Sequence, residues 1–176
     1  MMIKKLNLVF FIFFLIININ QKTIAEELSI VFVDIDKIIA TSNAGKKAQS
    51  VIDKFGKKEN DKFNKIEADL KKKEEDILKQ KSIISKEELD KKVKSFQTEL
   101  SKLRKEKIEF NRSIIKRNQE ATNKIVNEIN KILTQYASNN SVSLIIQKKN
   151  IIIGKTELDI TPQILKEFNS KVKSID

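Results

Sequence analysis

The chain contains no cysteine and no histidine, and between Lys57 and Ile153 it has no glycine and no proline. Without cysteine there is no disulfide framework, thiol nucleophile or thiolate metal site. Without histidine, most zinc chemistry, the Ser-His and Cys-His pairs and the usual near-neutral acid–base group go as well. An enzyme is not excluded by this, but its commonest tools are gone, and the sequence reads as a non-enzyme with no cofactor and no metal. Tryptophan is absent too; aromatics make up 6% of the chain, and ten of the eleven are Phe. Such a profile suits long solvated helices around a thin apolar seam better than a large core.

The missing glycine and proline matter most. Gly45, Gly56, Gly154 and Pro162 all lie outside the 57–153 window, so nothing in it ends or kinks a helix by backbone chemistry alone. Inside it Leu89, Val93, Phe96, Leu100, Leu103, Phe110, Ile114 and Ala121 follow alternating steps of four and three, with Lys107 and Arg117 at the missed beats. That is the a/d seam of a coiled coil. Ile125, Ile129, Ile132 and Tyr136 continue it after a slip. A weaker seam runs through Ile52, Phe63, Ile66, Leu70 and Ile77, with Gly56, Glu59 and Lys73 at its missed beats.

Between the seams lies Ser82-Ile83-Ile84-Ser85-Lys86-Glu87-Glu88, in which Ser85 and Glu88 have the spacing of a capping box. The reading is two helices, about 42–81 and 85–137, folded back as a hairpin with its tip near 82–85. A single helix running unbroken through this segment is the competing arrangement. Phe63, Phe96 and Phe110 fit either the seam or an exposed wall, and seam packing is the expectation.

The flanks read differently. Leu28 to Asp34 is a short β-rich run, Val142 to Gln147 a second, and Ile151-Ile152-Ile153 a third beyond a Lys148-Lys149-Asn150 turn. Asp36 to Ala40 suits a helical turn, Ser42 to Gly45 a cap or break, and Ser138 to Ser141 a polar stop. Thr161-Pro162 reads as an N-cap followed by proline at the first helical position, and Ile164, Leu165, Phe168 and Val172 line one face of the closing helix. The fold class is therefore α+β: a long antiparallel helical hairpin (42–137) projecting from a small β-sheet body made of 26–41 and 138–176. Three short strands give little core and leave free edges, so the body is expected to oligomerise.

Residues 1–25 read as a cleavable secretory signal. Lys4 and Lys5 precede an apolar run from Leu6 to Ile19, and Thr23-Ile24-Ala25 offers small residues for cleavage after Ala25. The run is short of the ~20 residues that span a bilayer; an uncleaved anchor is the alternative. Residues 46–118 hold 23 Lys+Arg against 14 Asp+Glu, while the rest of the chain from Glu26 onward holds 9 and 10. The arms are thus basic and the body nearly neutral.

Motif searches find little chemistry. Gly154-Lys155-Thr156 has the end of a phosphate-binding loop, but Lys149 stands where its first glycine belongs. The stretch from Ala40 to Lys47 fails in the same way. Asp34 and Asp36, lacking a histidine or third ligand, read as strand-end acids or caps, and Asp159 as part of the following helix start. The lysines crowding the hairpin tip, Lys71, Lys72, Lys73, Lys79, Lys81, Lys86, Lys91 and Lys92, are the candidate binding residues for an acidic partner. The equal alternative is a solvated face with i,i+4 pairs such as Glu67–Lys71 and Glu75–Lys79. Nucleic acid is disfavoured, since aromatics are not interleaved with the basic residues.

In order and architecture the chain resembles the periplasmic chaperones of the Skp (also called OmpH) type. The likeness rests on the signal, Ile30-Val31-Phe32-Val33-Asp34 followed by Gly45-Lys46-Lys47-Ala48, the long basic hairpin, Leu144-Ile145-Ile146, and Leu158-Asp159-Ile160-Thr161 with Ile164-Leu165 beyond. It covers the whole chain after the signal, though each motif is short. The resemblance implies a homotrimer whose helical tentacles enclose a cavity, and an ATP-independent periplasmic holdase for unfolded outer-membrane β-barrel proteins. It also implies an association with lipopolysaccharide and anionic phospholipid. The reading from a different class is a coiled-coil envelope scaffold binding a folded partner or an anionic membrane.

Overall fold

The computed structural model describes residues 28–175; the expected signal and its cleavage point lie outside them. Strand β1 (Ile30–Val33) leads into helix α1 (Ile35–Thr41) and then α2 (Asn43–Gln80). Helix α3 (Lys86–Asn139) returns to β2 (Leu144–Gln147), two short 3-10 turns and α4 (Thr161–Lys171). The long helices have 38 and 54 residues, or ~57 and ~81 Å of axis at 1.5 Å per residue. They pack against each other as the expected hairpin, so the unbroken helix is not what forms.

The break between them has a local cause. Gln80 O accepts hydrogen bonds from Ile83 N (2.9 Å) and Ile84 N (3.1 Å), closing α2, and Ser85 Oγ accepts from Glu88 N (3.3 Å) to open α3. The elbow between α1 and α2 turns on Ser42, fully buried, which ends one helix and caps the next by accepting from Gly45 N at 3.1 Å. A Cβ on Gly45 would sit 1.8 Å from Ile39 O, so only glycine lets α2 approach α1 this closely. At the far end of α3, Ser141 takes φ 52° and Val142 N reaches back to Ala137 O at 3.0 Å, a Schellman-type stop.

Strands β1 and β2 pair in parallel, Ile30 opposite Leu144 through Val33 opposite Gln147. Parallel neighbours need a long crossover, and here the whole hairpin is that crossover. Two apolar clusters follow. The body core joins Val33, Ile38, Ala44, Ile160, Ile164 and Phe168 to Ile125, Ile129, Ile132 and Leu133 of α3. The second lies along the arms, where Phe63, Leu70 and Leu103 are buried and Phe96, Leu100 and Phe110 pack against them. All three seam phenylalanines therefore pack in the seam.

Three expectations need correction. Residues 151–153 are not a strand: Lys148–Asn150 form a 3-10 turn and the next residues bend away, with Ile152 98% and Ile153 90% exposed. The free side of β1 cannot receive them, because Asp159 bridges to Phe32 and Ile160 N donates to Phe32 O at 2.9 Å there, and after the 3-10 turn they do not pair with the open edge of β2. Strands β1 and β2 are also shorter than the runs that suggested them. Finally, Thr161 is not the cap of α4. Ile160 takes that position, Thr161 and Pro162 lie within the first turn, and Asp159 Oδ1 accepts from Thr161 N at 2.9 Å. The Thr161 hydroxyl is engaged elsewhere, accepting from Asp34 N at 2.8 Å.

Candidate functional site

Two surfaces carry unsatisfied chemistry: the basic arms and the apolar rim of the sheet. Lys71, Lys72 and Lys73 lie on α2, Lys79 in its last turn and Lys81 at its C-cap; Lys86 begins α3, and Lys91 and Lys92 follow within two turns. All are exposed except Lys92, which is half-buried. The hairpin thus gathers the eight lysines near its tip, but not as equivalents. Lys73 pairs with Glu99 across the arms, and Lys92 donates to Gln80. That bond from Lys73, with its charge, holds the Glu99 carboxyl below its ordinary pKa against a smaller opposing effect of burial. The other six have no ion-pair partner among the described residues.

The pairs Glu67–Lys71 and Glu75–Lys79 of the alternative reading do not form. Glu67 instead pairs with Lys107 of α3. This accounts for one missed beat of the seam. Lys107 occupies an a/d position, lies 5.8 Å from the centre of the Phe63 ring and places its ammonium across the interface. Arg117, the other missed beat, lies 4.3 Å over the Phe55 ring. Both cations close the seam where a leucine would otherwise stand. Phe63 and Phe55 also flank Phe110, at centroid distances of 5.5 and 5.8 Å.

At the body, the outer edge of β2 has no strand partner among the described residues. Leu28, Ile30, Leu144, Ile152, Ile153 and Leu158 are exposed around the sheet. Sequence reasoning read Ile151–Ile153 as a third strand of the sheet and so missed it as an exposed loop. A run of three isoleucines is the same signal in either case. Lys148 anchors this loop, bonding Asp159 Oδ2 at 2.8 Å and lying 5.7 Å from the Phe32 ring. Burial works against ionisation of Asp159, but bonds from Lys148 and Thr161 outweigh it and hold the carboxyl below its usual range. The same bond raises the Lys148 ammonium. Asp34 caps α1 by accepting from Lys37 N at 2.8 Å, as the cap reading of this acid expects.

Residues 29–168 match the family described as outer membrane protein (OmpH-like). The chain belongs to the OmpH-like family. Its fold is similar to that of an OmpH-like protein from Caulobacter crescentus CB15, described as an outer membrane chaperone. The superposition has a TM-score of 0.78 at 13% identity and covers 85% of this chain and 88% of that one. No curated protein matches the sequence. At that identity the structural likeness speaks for the fold: an OmpH-like helical hairpin on a small sheet.

Proposed function

We propose that this OmpH-like chain is an ATP-independent periplasmic holdase, exported by residues 1–25 with cleavage after Ala25. It binds unfolded outer-membrane β-barrel proteins between basic helical arms and keeps them from aggregating. The units are the body, 26–41 with 138–176, and the arm, 42–137. The observation that carries the reading is a subunit that is incomplete by itself. A two-stranded sheet with one open edge and isoleucines exposed at 90% and above supports two arms far longer than the body. Open edges of this kind invite pairing with further copies, and three copies would set the arms around a shared space.

No reaction is needed. Unfolded barrel proteins expose apolar strand surface and are often acidic, so the unpaired lysines near the tip attract them over distance and many weak contacts retain them. Lys71, Lys72, Lys79, Lys81, Lys86 and Lys91 supply that field; Lys73 and Lys92 mainly tie the arms together. Anionic lipid or lipopolysaccharide suits the same charge, whereas nucleic acid does not belong to this setting. The test is dilution of a urea-unfolded barrel protein into buffer with stoichiometric amounts of this protein and no nucleotide. A holdase suppresses the light scattering of aggregation. A scaffold for folded partners leaves it unchanged, and that result would overturn the reading.

A further inference from the structure

The chain is rich in lysine but has three arginines, Arg104, Arg112 and Arg117, all within two heptads of α3. Arg117 is used internally, over Phe55. Arg104 and Arg112 are exposed and have no partner among the described residues. Between and beside them stand Ile108 and Ile115, 53% and 58% exposed. At 100° per residue these four side chains fall within about 80° of arc. Glu106, Glu109 and Glu120 project from other sides of the helix, so the stripe has no carboxylate of its own. Large exposed aliphatics set between unpaired guanidinium groups are poor neighbours for water, and neither pair is required by the seam.

We infer that Arg104, Ile108, Arg112 and Ile115 form a docking stripe for an extended polypeptide that presents acidic and apolar side chains in turn along one face, at every second residue. The spacing carries the argument. Arg104, Ile108 and Arg112 succeed one another every four residues, about 6 Å along the helix. Alternate residues on one face of an extended strand repeat at about 6.7 Å. A carboxylate, an apolar side chain and a second carboxylate at positions i, i+2 and i+4 therefore meet Arg104, Ile108 and Arg112 in turn, and Ile115 extends the apolar contact. Guanidinium suits this role better than ammonium because it binds carboxylate through two parallel bonds and gives up its water more readily.

A flat lipid surface fits less well. The stripe lies mid-arm rather than at the tip, and it lacks the broad continuous apolar face and aromatics of an interfacial helix. The inference rests on the holdase reading and narrows it: the lysines attract the client, and this stripe reads the order of acidic and apolar groups along one face of it.

The test uses the full assembled protein with two peptides of one composition, the first alternating aspartate and valine at every second residue with serine between (Asp-Ser-Val-Ser repeats), the second with the aspartates and valines in separate blocks. The wild-type protein should bind the alternating peptide about tenfold more tightly. That preference should vanish in Arg104→Gln/Arg112→Gln and in Ile108→Ser/Ile115→Ser, with helical content unchanged since all four side chains are exposed. A photo-cross-linker at position 108 should capture the peptide, and one at Lys102, about 120° away round α3, should not. Equal binding of both peptides, or a preference that survives both double variants, overturns the stripe. So does loss of binding to anionic vesicles without loss of peptide binding. If the wild-type protein suppresses barrel aggregation but shows no peptide preference, only the stripe fails. If it suppresses nothing, the holdase reading fails with it.

Discussion

The backbone N–H of Asp34 donates a 2.8 Å hydrogen bond to Thr161 Oγ1, joining residues 127 positions apart. It links the end of β1 to the start of α4 across the base of the arms, and Thr161 is 2% exposed. Thr161→Val keeps the shape and leaves that N–H unpaired, which costs ~1–3 kcal/mol. Thr161→Ser should retain most of the stability. Thermal unfolding of the two variants checks this, and equal melting temperatures would remove the tie from the account.

Two glycines in the same helix should respond with opposite signs. Gly45→Ala places a methyl against the Ile39 carbonyl and should destabilise by more than ~3 kcal/mol, through strain at the α1–α2 elbow. A Cβ on Gly56 meets only Ile114 Cδ1 at 3.9 Å. Gly56→Ala should therefore stabilise α2 by ~0.5–1 kcal/mol. Denaturant midpoints of the two variants on either side of wild type are the expected result.

Much of this architecture could be read from residue order, because helices announce themselves by period. The uninterrupted window from Lys57 to Ile153, the two seams and Ser85 with Glu88 all pointed to the hairpin that forms. What escaped was whatever depends on a partner distant in sequence. Lys107 and Arg117 looked like defects in the seam, yet they are the cations that close it over Phe63 and Phe55. Thr161 looked like a cap because threonine before proline usually is one; its hydroxyl was claimed by Asp34 instead. Ile151–Ile153 has strand composition but, after the 3-10 turn of Lys148–Asn150, pairs with neither edge of the sheet. Ile108 and Ile115 fall outside the seam rhythm, which made them easy to pass over.

Ser141 holds a left-handed backbone, φ 52°, at the stop of α3. Only glycine takes that conformation without steric cost. Ser141→Gly should stabilise by a few tenths to ~1 kcal/mol, since the relief is partly offset by a more flexible unfolded chain. Ser141→Val should lose more than that and fray the turn into β2, which hydrogen exchange at Val142 would report.

The Lys148–Asp159 pair ties the loop of exposed isoleucines to the sheet at 2.8 Å. The Asp159 carboxyl titrates below its ordinary range when folded, so its contribution is present above that range and is lost as pH falls through the folded value. Lys148 is raised, so its contribution is present below the ordinary lysine value and is lost as pH climbs through the folded one. Asp159→Asn should therefore flatten the acid limb of a stability–pH curve. An acid limb identical to wild type would show that the pair does not bear on stability.

The most direct test of the central claim uses the absence of tryptophan from this chain. Every change in tryptophan emission then belongs to the client. An unfolded, tryptophan-containing barrel protein is titrated with this protein at low and at high salt. The account predicts saturable capture at stoichiometric ratios, a client that stays soluble without folding, and affinity that falls as ionic strength rises. No change in emission at low salt would contradict it.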